Sequence, residues 1–198
     1  MNGEASPPAL LLIDVQQGLD APVWGARNNP QAEEQMLVLL AAWRHRGWPV
    51  VHVQHDSVEP DSPLRPERPG NAVKPGFEPV GDELLFRKTV NSAFIGTGLE
   101  TRLRAAGVDA LVVVGLTTDH CVSTSVRMAA NLGFDVVVVD DATATFERTG
   151  SAGENWTAEQ MHRAALASLH GEFGRVATAA DVLAGLPAAA TGTEGGGA

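Results

Sequence analysis

Residues 110–121 read ALVVVGLTTDHC, an apolar run rich in valine that passes through a glycine into a polar stretch. Near-continuous apolar runs of this kind are typical of parallel strands that are covered on both faces. Similar runs occur before and after it, the last two of them weaker: residues 9–14, 49–53, 136–139, 83–87 and 175–178. The chain therefore predicts several buried strands.

Amphipathic segments with recognisable ends separate these strands. One carries Met36, Leu40 and Trp43 at helical spacing and stops before Gly47, which suits a left-handed helix exit. Three more are predicted at residues 99–107, at 121–133 and from Thr157 onwards. Alternating strands and helices predict an α/β fold, a three-layer doubly wound domain with a mainly parallel sheet. Residues 8–185 form this domain, and residues 186–198 are predicted to be a disordered Gly/Ala-rich tail.

The composition is 44% hydrophobic and 19% charged, which is ordinary for a globular protein. The formal net charge of −10 disfavours nucleic acid and anionic membranes as partners, since both bind basic surfaces. The chain has no signal-peptide pattern and no apolar run near the roughly 20 residues that span a bilayer. We therefore expect a cytoplasmic protein whose partner is a small-molecule substrate.

Side chains able to do chemistry gather at the ends of the predicted strands. In an open parallel sheet the ligand site lies beyond the carboxyl ends of the strands. The candidates there, in chain order, are Asp14, His52, His55, Arg87, Lys88, Cys121, Asp140 and Asp141. Carboxylates, imidazoles, an ammonium and a thiol are thus expected at one edge of the sheet.

Cys121 is the chain's single cysteine, which excludes an internal disulfide and a cysteine-rich metal site. It stands where a predicted strand passes into a helix. The N–H groups at a helix start favour a thiolate, with a lowered thiol pKa, and can also hold an oxyanion. This position favours a nucleophile over the alternative, a buried structural cysteine.

Asp14 follows an apolar run, where an unpaired carboxylate would be costly. Burial and a nearby lysine such as Lys88 together set how readily a carboxylate takes a proton, which suits a general base. The alternatives are that Asp14 caps the next helix and that Lys88 is a solvated cation.

Two histidines and an aspartate near the end of the second strand are candidate metal ligands. His52 and His55 are three residues apart, so on a strand they point to opposite faces, although His55 with Asp56 can still offer ligands. No phosphate-binding glycine loop follows the first strand.

Three motifs resemble the isochorismatase-like cysteine hydrolases, a family that includes nicotinamidase, N-carbamoylsarcosine amidase, ureidoacrylate amidase and isochorismatase. They are LIDVQQ at residues 12–17, KTVNSAF at 88–94 and GLTTDHCV at 115–122, and the resemblance extends over about residues 8–182. It implies a catalytic triad of Asp14, Lys88 and Cys121. It also implies a cis peptide between Leu116 and Thr117, which makes the N–H groups of Thr117 and Cys121 an oxyanion hole.

Two departures from the family pattern narrow the function. Nicotinamidase-like members carry an Asp-x-His metal motif after the second strand, and QHDS at residues 54–57 does not reproduce it. We therefore expect no metal and no cofactor. Isochorismatase itself lacks the nucleophilic cysteine, so Cys121 favours hydrolysis of a C–N bond.

The resemblance thus implies a cysteine-dependent hydrolase of a small amide, ureide or carbamoyl compound, acting through a thioester. One alternative is a catalytically silent member of the same fold that binds a small molecule or a partner. Others are a vinyl-ether hydrolase of the isochorismatase type and a redox-sensing thiol protein, which the lack of a second cysteine disfavours.

Substrate contacts are expected from Trp24, Phe94 and Leu116, and from a loop at residues 142–155. Residues 57–81 carry six of the chain's twelve prolines and are expected to be a long surface excursion.

The resemblance also implies a homo-oligomer, a dimer or a tetramer. Tryptophans are enriched at interface cores, and Trp24, Trp48 and Trp156 fall at helix ends or in loops. The alternative is that Trp24 and Trp156 line the active-site pocket of their own subunit.

Overall fold

The computed structural model describes residues 6–187. Within that range it has eight strands and five α-helices. The strands are β1 (Ala9–Ile13), β2 (Val50–His55), β3 (Leu84–Lys88), β4 (Ala110–Leu116), β5 (Asp135–Ala144), β6 (Arg148–Thr149), β7 (Asn155–Trp156) and β8 (Arg175–Ala177). The helices are α1 (Ala32–Arg46), α2 (Leu99–Ala105), α3 (Ser123–Asn131), α4 (Ala158–Leu169) and α5 (Ala179–Ala184).

Six strands form one sheet in the order β3-β2-β1-β4-β5-β8, and every neighbouring pair is parallel. Helices cover both faces, so the predicted three-layer α/β architecture is confirmed. The carboxyl ends of β1, β2, β3 and β4 therefore lie side by side, and the segments that follow them share one edge of the sheet.

Alternate residues of the buried strands contribute to two separate cores. Leu10 and Leu12 pack with α1 and α5 on one face, where Trp43 is fully buried. Leu11 and Ile13 pack with α2, α3 and α4 on the other. A strand that is buried on both faces needs apolar residues at every position, which is why β1 reads ALLLI.

Gly115 allows β4 to run close to β1 where the site begins. Its φ is 120°, and a Cβ built there would lie 2.1 Å from the carbonyl oxygen of Ile13. Only glycine fits this approach and this backbone conformation. The ladder between β4 and β5 is also irregular between Val113 and Gly115.

The fifth strand is longer than predicted. It continues past Asp140 and Asp141 to Ala144, because Thr143 and Ala144 pair with Gly115 and Leu116 after the irregularity in β4. The expected irregular loop over residues 142–155 is therefore wrong in part, and β6 and β7 form an antiparallel pair within it.

Asp140 and Asp141 do not reach the predicted site, although their position in the chain placed them among its candidates. Asp140 Oδ1 lies 2.7 Å from His162 Nε2 on α4. Asp141 Oδ1 accepts a hydrogen bond from the Ala179 N–H at the start of α5. Both carboxylates hold helices against the sheet.

The predicted tail lies mostly outside the described residues, which end at residue 187. Over residues 6–187, none of the helices is long and apolar enough to cross a membrane.

Candidate active site

Three chain segments bring Asp14, Lys88 and Cys121 together at the carboxyl edge of the sheet. Asp14 directly follows β1 with a φ of 52°, and its N–H donates to the Val53 carbonyl of β2. Lys88 is the last residue of β3. Cys121 lies in a π-helical turn, Thr118–Val122, which leads into α3. The sequence interpretation of Cys121 as a residue at a helix start is thus confirmed.

The Lys88 ammonium is the centre of this group. Its Nζ lies 2.7 Å from Asp14 Oδ2, 3.3 Å from Cys121 Sγ and 3.0 Å from His55 Nδ1. The Lys88 side chain is 0% exposed and that of Asp14 is 2% exposed. The alternative of a solvated Lys88 is therefore wrong, and Lys88 and Asp14 form a buried ion pair.

The second oxygen of Asp14 has no hydrogen bond of its own to the residues that the structure describes. Asp14 Oδ1 is buried and has no hydrogen-bond partner among the described residues. An unpaired buried carboxylate oxygen is costly, and such groups are concentrated at functional sites. An oxygen, a ring nitrogen and the sulfur of Asp14, His55 and Cys121 all lie within 4.8 Å of one another.

The thiol itself differs from the sequence expectation. Burial raises the pKa of Cys121 above its ordinary value, the negative charge of Asp14 raises it further, and Lys88 acts in the opposite direction. The expected lowering by the helix start is therefore wrong. The raised pKa favours the protonated thiol over the thiolate.

Polar contacts hold the π-helical turn in place. Thr118 is fully buried, and its hydroxyl lies 2.9 Å from His162 Nδ1, whose ring also contacts Asp140. Asp119 accepts hydrogen bonds from Thr145 and from Arg148. These contacts fix the segment that carries Cys121.

Leu116 and Thr117 connect β4 to this turn. The peptide bond between them is cis, and both residues are buried.

A cavity of about 550 Å³ opens above Asp14 and Cys121. Trp24 and Leu116 line it, as predicted. Trp24 is held there by a 2.7 Å hydrogen bond from its indole Nε1 to the Gly18 carbonyl. The proline-rich excursion supplies most of one wall through Ser57 and residues 59–64.

Phe94 does not line this cavity, contrary to expectation. Its ring packs against Phe134, with centroids 5.9 Å apart, and joins the core on the α3 face. Phe94 follows Lys88 by six residues, and the intervening loop turns it away from the sheet edge.

His52 does not belong to the site either. It lies inside β2, buried, with Nε2 2.8 Å from Glu83 Oε2. Burial lowers the pKa of His52, and its carboxylate partner only partly offsets that effect.

A metal at Asp14, His55 and Cys121 would have to displace Lys88. All three offer ligand atoms, yet the Lys88 ammonium contacts each of them within 3.3 Å. A second cation in that space would be repelled by the first. Asp56, the other residue considered as a ligand, is paired with Arg87 at 2.6 Å.

The structure adds residues that the sequence interpretation did not assign to the triad. His55 contacts Lys88, and Asn91 Oδ1 lies 3.7 Å from Cys121 Sγ. Asn91 lies in the KTVNSAF motif three residues after Lys88, and this position in the motif could have identified it as a residue of the site. His55 is considered from the sequence only as a metal ligand.

The family is shown by comparison with known proteins. A family model described as an isochorismatase domain matches residues 8–181. The chain belongs to the isochorismatase family. Members of this family are hydrolases, so the chain is an isochorismatase-like hydrolase, as the motifs predicted.

Individual members support the assignment along nearly the whole chain. YrdC of Bacillus subtilis (strain 168), an uncharacterized isochorismatase family protein, is 44% identical over 170 residues, which are 86% of this chain and 91% of YrdC. Maleamate amidohydrolase of Pseudomonas putida KT2440 is 29% identical over 198 residues, covering 91% of this chain and 87% of that protein. A solved hydrolase of the family from Chromobacterium violaceum ATCC 12472 is 50% identical with a TM-score of 0.87, covering 92% and 94% of the two chains.

Proposed function

We propose that this isochorismatase-like hydrolase cleaves a C–N bond in a small amide, ureide or carbamoyl compound, with Cys121 as nucleophile. One observation carries the proposal. A buried carboxylate, Asp14, gives one oxygen to Lys88 and leaves the other unpaired among the described residues. A carboxylate oxygen of Asp14 lies within 4.8 Å of the sulfur of Cys121, the only thiol of the chain, under a cavity of about 550 Å³.

In the first half of the reaction Asp14 Oδ1 takes the proton from the Cys121 thiol. The thiolate attacks the carbonyl carbon of the substrate, and the carbonyl oxygen becomes an oxyanion. The N–H groups of Thr117 and Cys121 stabilise that oxyanion. When the intermediate collapses, the C–N bond breaks and Asp14 returns its proton to the leaving nitrogen. Amine or ammonia leaves, and the acyl group remains on sulfur as a thioester.

In the second half Asp14 takes a proton from water, and the resulting hydroxide attacks the thioester carbon. The C–S bond breaks, the acid is released and the thiol is restored by the proton that Asp14 held. Lys88 compensates the negative charge as it passes between Asp14 and Cys121, because its ammonium contacts both.

Two observations favour a C–N bond over a vinyl ether. A relative over most of the chain is named as an amidohydrolase, maleamate amidohydrolase. In addition, a thiol beside a base is suited to attack at a carbonyl carbon, whereas vinyl-ether cleavage needs no nucleophilic sulfur. The proposed substrate is therefore an acyl compound with a nitrogen leaving group.

A screen of primary amides and ureides, read by ammonia release, tests the proposal. Cys121→Ala serves as the matched control, since it removes the sulfur and leaves every other side chain that lines the cavity in place. Ammonia release by the wild type and not by the variant supports the proposal. Cleavage of a vinyl ether with no amide turned over would contradict it.

We expect activity to survive exhaustive treatment with a metal chelator. The Asp-x-His motif is missing near His55, and Lys88 lies between the three candidate ligands. The measurement is turnover of the best amide from the screen before and after chelation and dialysis. Loss of activity that zinc, iron or manganese restores would make His55 and Asp56 ligands and contradict the metal-free mechanism.

We further propose a homo-oligomer, dimer or tetramer, in solution. Within one subunit Trp24 lines the cavity and stacks on Phe146, and Trp48 packs on Trp43 with ring centroids 5.5 Å apart. Trp156 remains 42% exposed, does not line the cavity, and is suited to an interface.

Size exclusion coupled to light scattering at micromolar concentration measures the assembly. We expect a mass of two or four times 20.7 kDa. A mass of one chain would contradict the oligomer and would leave Trp156 as an exposed surface residue.

A further inference from the structure

His55 is placed beside Lys88 by the pairing of two strands. It is the last residue of β2, and the register pairs it directly with Lys88 of β3. Register-paired residues of neighbouring strands project on the same face, so the two side chains meet. His55 Nδ1 lies 3.0 Å from Lys88 Nζ. An ammonium can only donate hydrogen bonds, so Nδ1 is the acceptor and the ring proton is on Nε2.

Buried side chains fix the backbone of His55. Its N–H donates to Gln16 Oε1 at 2.8 Å, and its carbonyl accepts from Gln16 Nε2 at 3.0 Å. Asn71 Nδ2 donates to the same carbonyl at 3.0 Å. Gln16 and Asn71 are both buried. The imidazole is therefore attached to a rigid support that the strand ladder alone does not provide.

The Lys88 ammonium has three N–H bonds and three acceptors. Besides His55 Nδ1 these are Asp14 Oδ2 at 2.7 Å and Cys121 Sγ at 3.3 Å. Without His55, one N–H of a completely buried cation would have no acceptor. A buried donor without an acceptor is costly, and with only two acceptors left the direction of the three N–H bonds is no longer fixed.

We infer that His55 is a positioning residue: it accepts one N–H of Lys88 and so directs the other two N–H bonds at Asp14 and Cys121. The inference rests on the proposed function of Cys121 as nucleophile. It gives the imidazole a role in orienting the ammonium in place of the metal-binding role considered from the sequence.

This role requires a neutral imidazole. Burial lowers the pKa of His55 below its ordinary value, and the positive charge of Lys88 lowers it further. The charged and titratable groups around the ring are Lys88 on β3, Asp14 after β1, Asp56 with its partner Arg87, and Cys121 on the π-helical turn. At a pH below the pKa of His55 the ring gains a proton on Nδ1. That nitrogen can then no longer accept a hydrogen bond from Lys88, and the charged ring repels the ammonium. Thiolate formation is therefore expected to decline on the acid side.

Alkylation of Cys121 by iodoacetamide tests the inference without a substrate. The chain has one cysteine, so the label reports that sulfur alone. The rate constant is measured against pH for the wild type, His55→Leu and His55→Asn, with folding checked by circular dichroism. His45→Asn on the exposed side of α1 is the matched control and keeps the wild-type profile.

We expect His55→Leu to react at least about tenfold more slowly at neutral pH, equivalent to one unit in the thiol pKa. His55→Asn places an amide oxygen where Nδ1 was, so its rate stays within about threefold of wild type and its profile has no histidine limb. Equal rates for His55→Leu and wild type would overturn the inference while leaving Cys121 as the nucleophile.

Two other outcomes also decide the matter. If His55→Leu does not fold, the test rests on the pH profile of His55→Asn. An acid-side decline of its alkylation rate identical to that of the wild type overturns the inference. A wild-type Cys121 that iodoacetamide labels at no pH would overturn the proposed nucleophile and this inference together.

Discussion

Replacing Cys121 by serine is expected to lower turnover by at least about a thousandfold, because a hydroxyl yields its proton far less readily than a thiol and attacks a carbonyl more weakly. Burial and the negative charge of Asp14 raise the pKa of the thiol at this position. The same surroundings also oppose an alkoxide, and a hydroxyl has a much higher pKa than a thiol to begin with.

The substitution is close to isosteric, so the fold should survive it. Cys121 is half-buried in a turn that Thr118 and Asp119 hold through other contacts. Circular dichroism and thermal unfolding verify this. Near-normal turnover by a well-folded Cys121→Ser would show that the sulfur is not the nucleophile.

Asp14→Asn is expected to abolish formation of the thioester, since an amide oxygen cannot accept the thiol proton and hold it through the reaction. The measurement is single-turnover acylation of Cys121 with the best amide of the screen. Asp135→Asn is the matched control, because Asp135 is an exposed carboxylate at the amino end of β5, at the opposite edge of the sheet. We expect that variant to acylate normally.

Lys88→Met is expected to be nearly as damaging as Asp14→Asn. Breaking a buried ion pair costs about 3–5 kcal/mol of folding stability, so both variants are assayed well below their unfolding temperatures. If Lys88→Met loses stability and keeps its turnover, Lys88 is a structural cation and the proposed triad is wrong.

The buried sheet was predictable because parallel strands covered on both faces need apolar residues throughout, as β1 and β4 show. The end of β5 was not. Asp140 and Asp141 are polar, yet the strand goes on to pair with β4 beyond them, and their carboxylates bond to α4 and α5, elements distant in the chain. A polar residue in the sequence therefore marks the end of a buried strand only when no distant element bonds to its side chain.

The meeting of Asp14, Lys88 and Cys121 was predictable from their motifs and from the rule that strand ends meet at one edge. The environment of the site was not. The contact between His55 and Lys88 depends on the register of β2 against β3, and the sequence of either strand alone does not determine that register. The thiol pKa of Cys121 depends on how deeply the sulfur is buried and on the charge of Asp14 beside it, and these outweigh the helix start.

In the proposed reaction an acyl group passes from the substrate nitrogen to the sulfur of Cys121. Mass spectrometry of the intact protein, quenched in acid during turnover of the best amide, detects that transfer. We predict a mass increase equal to the acyl group, mapped to the peptide that carries Cys121 and reversed by hydroxylamine, which cleaves thioesters. Continued turnover after Cys121 is completely alkylated, with no acyl adduct at any quench time, would show that Cys121 does not carry the acyl group.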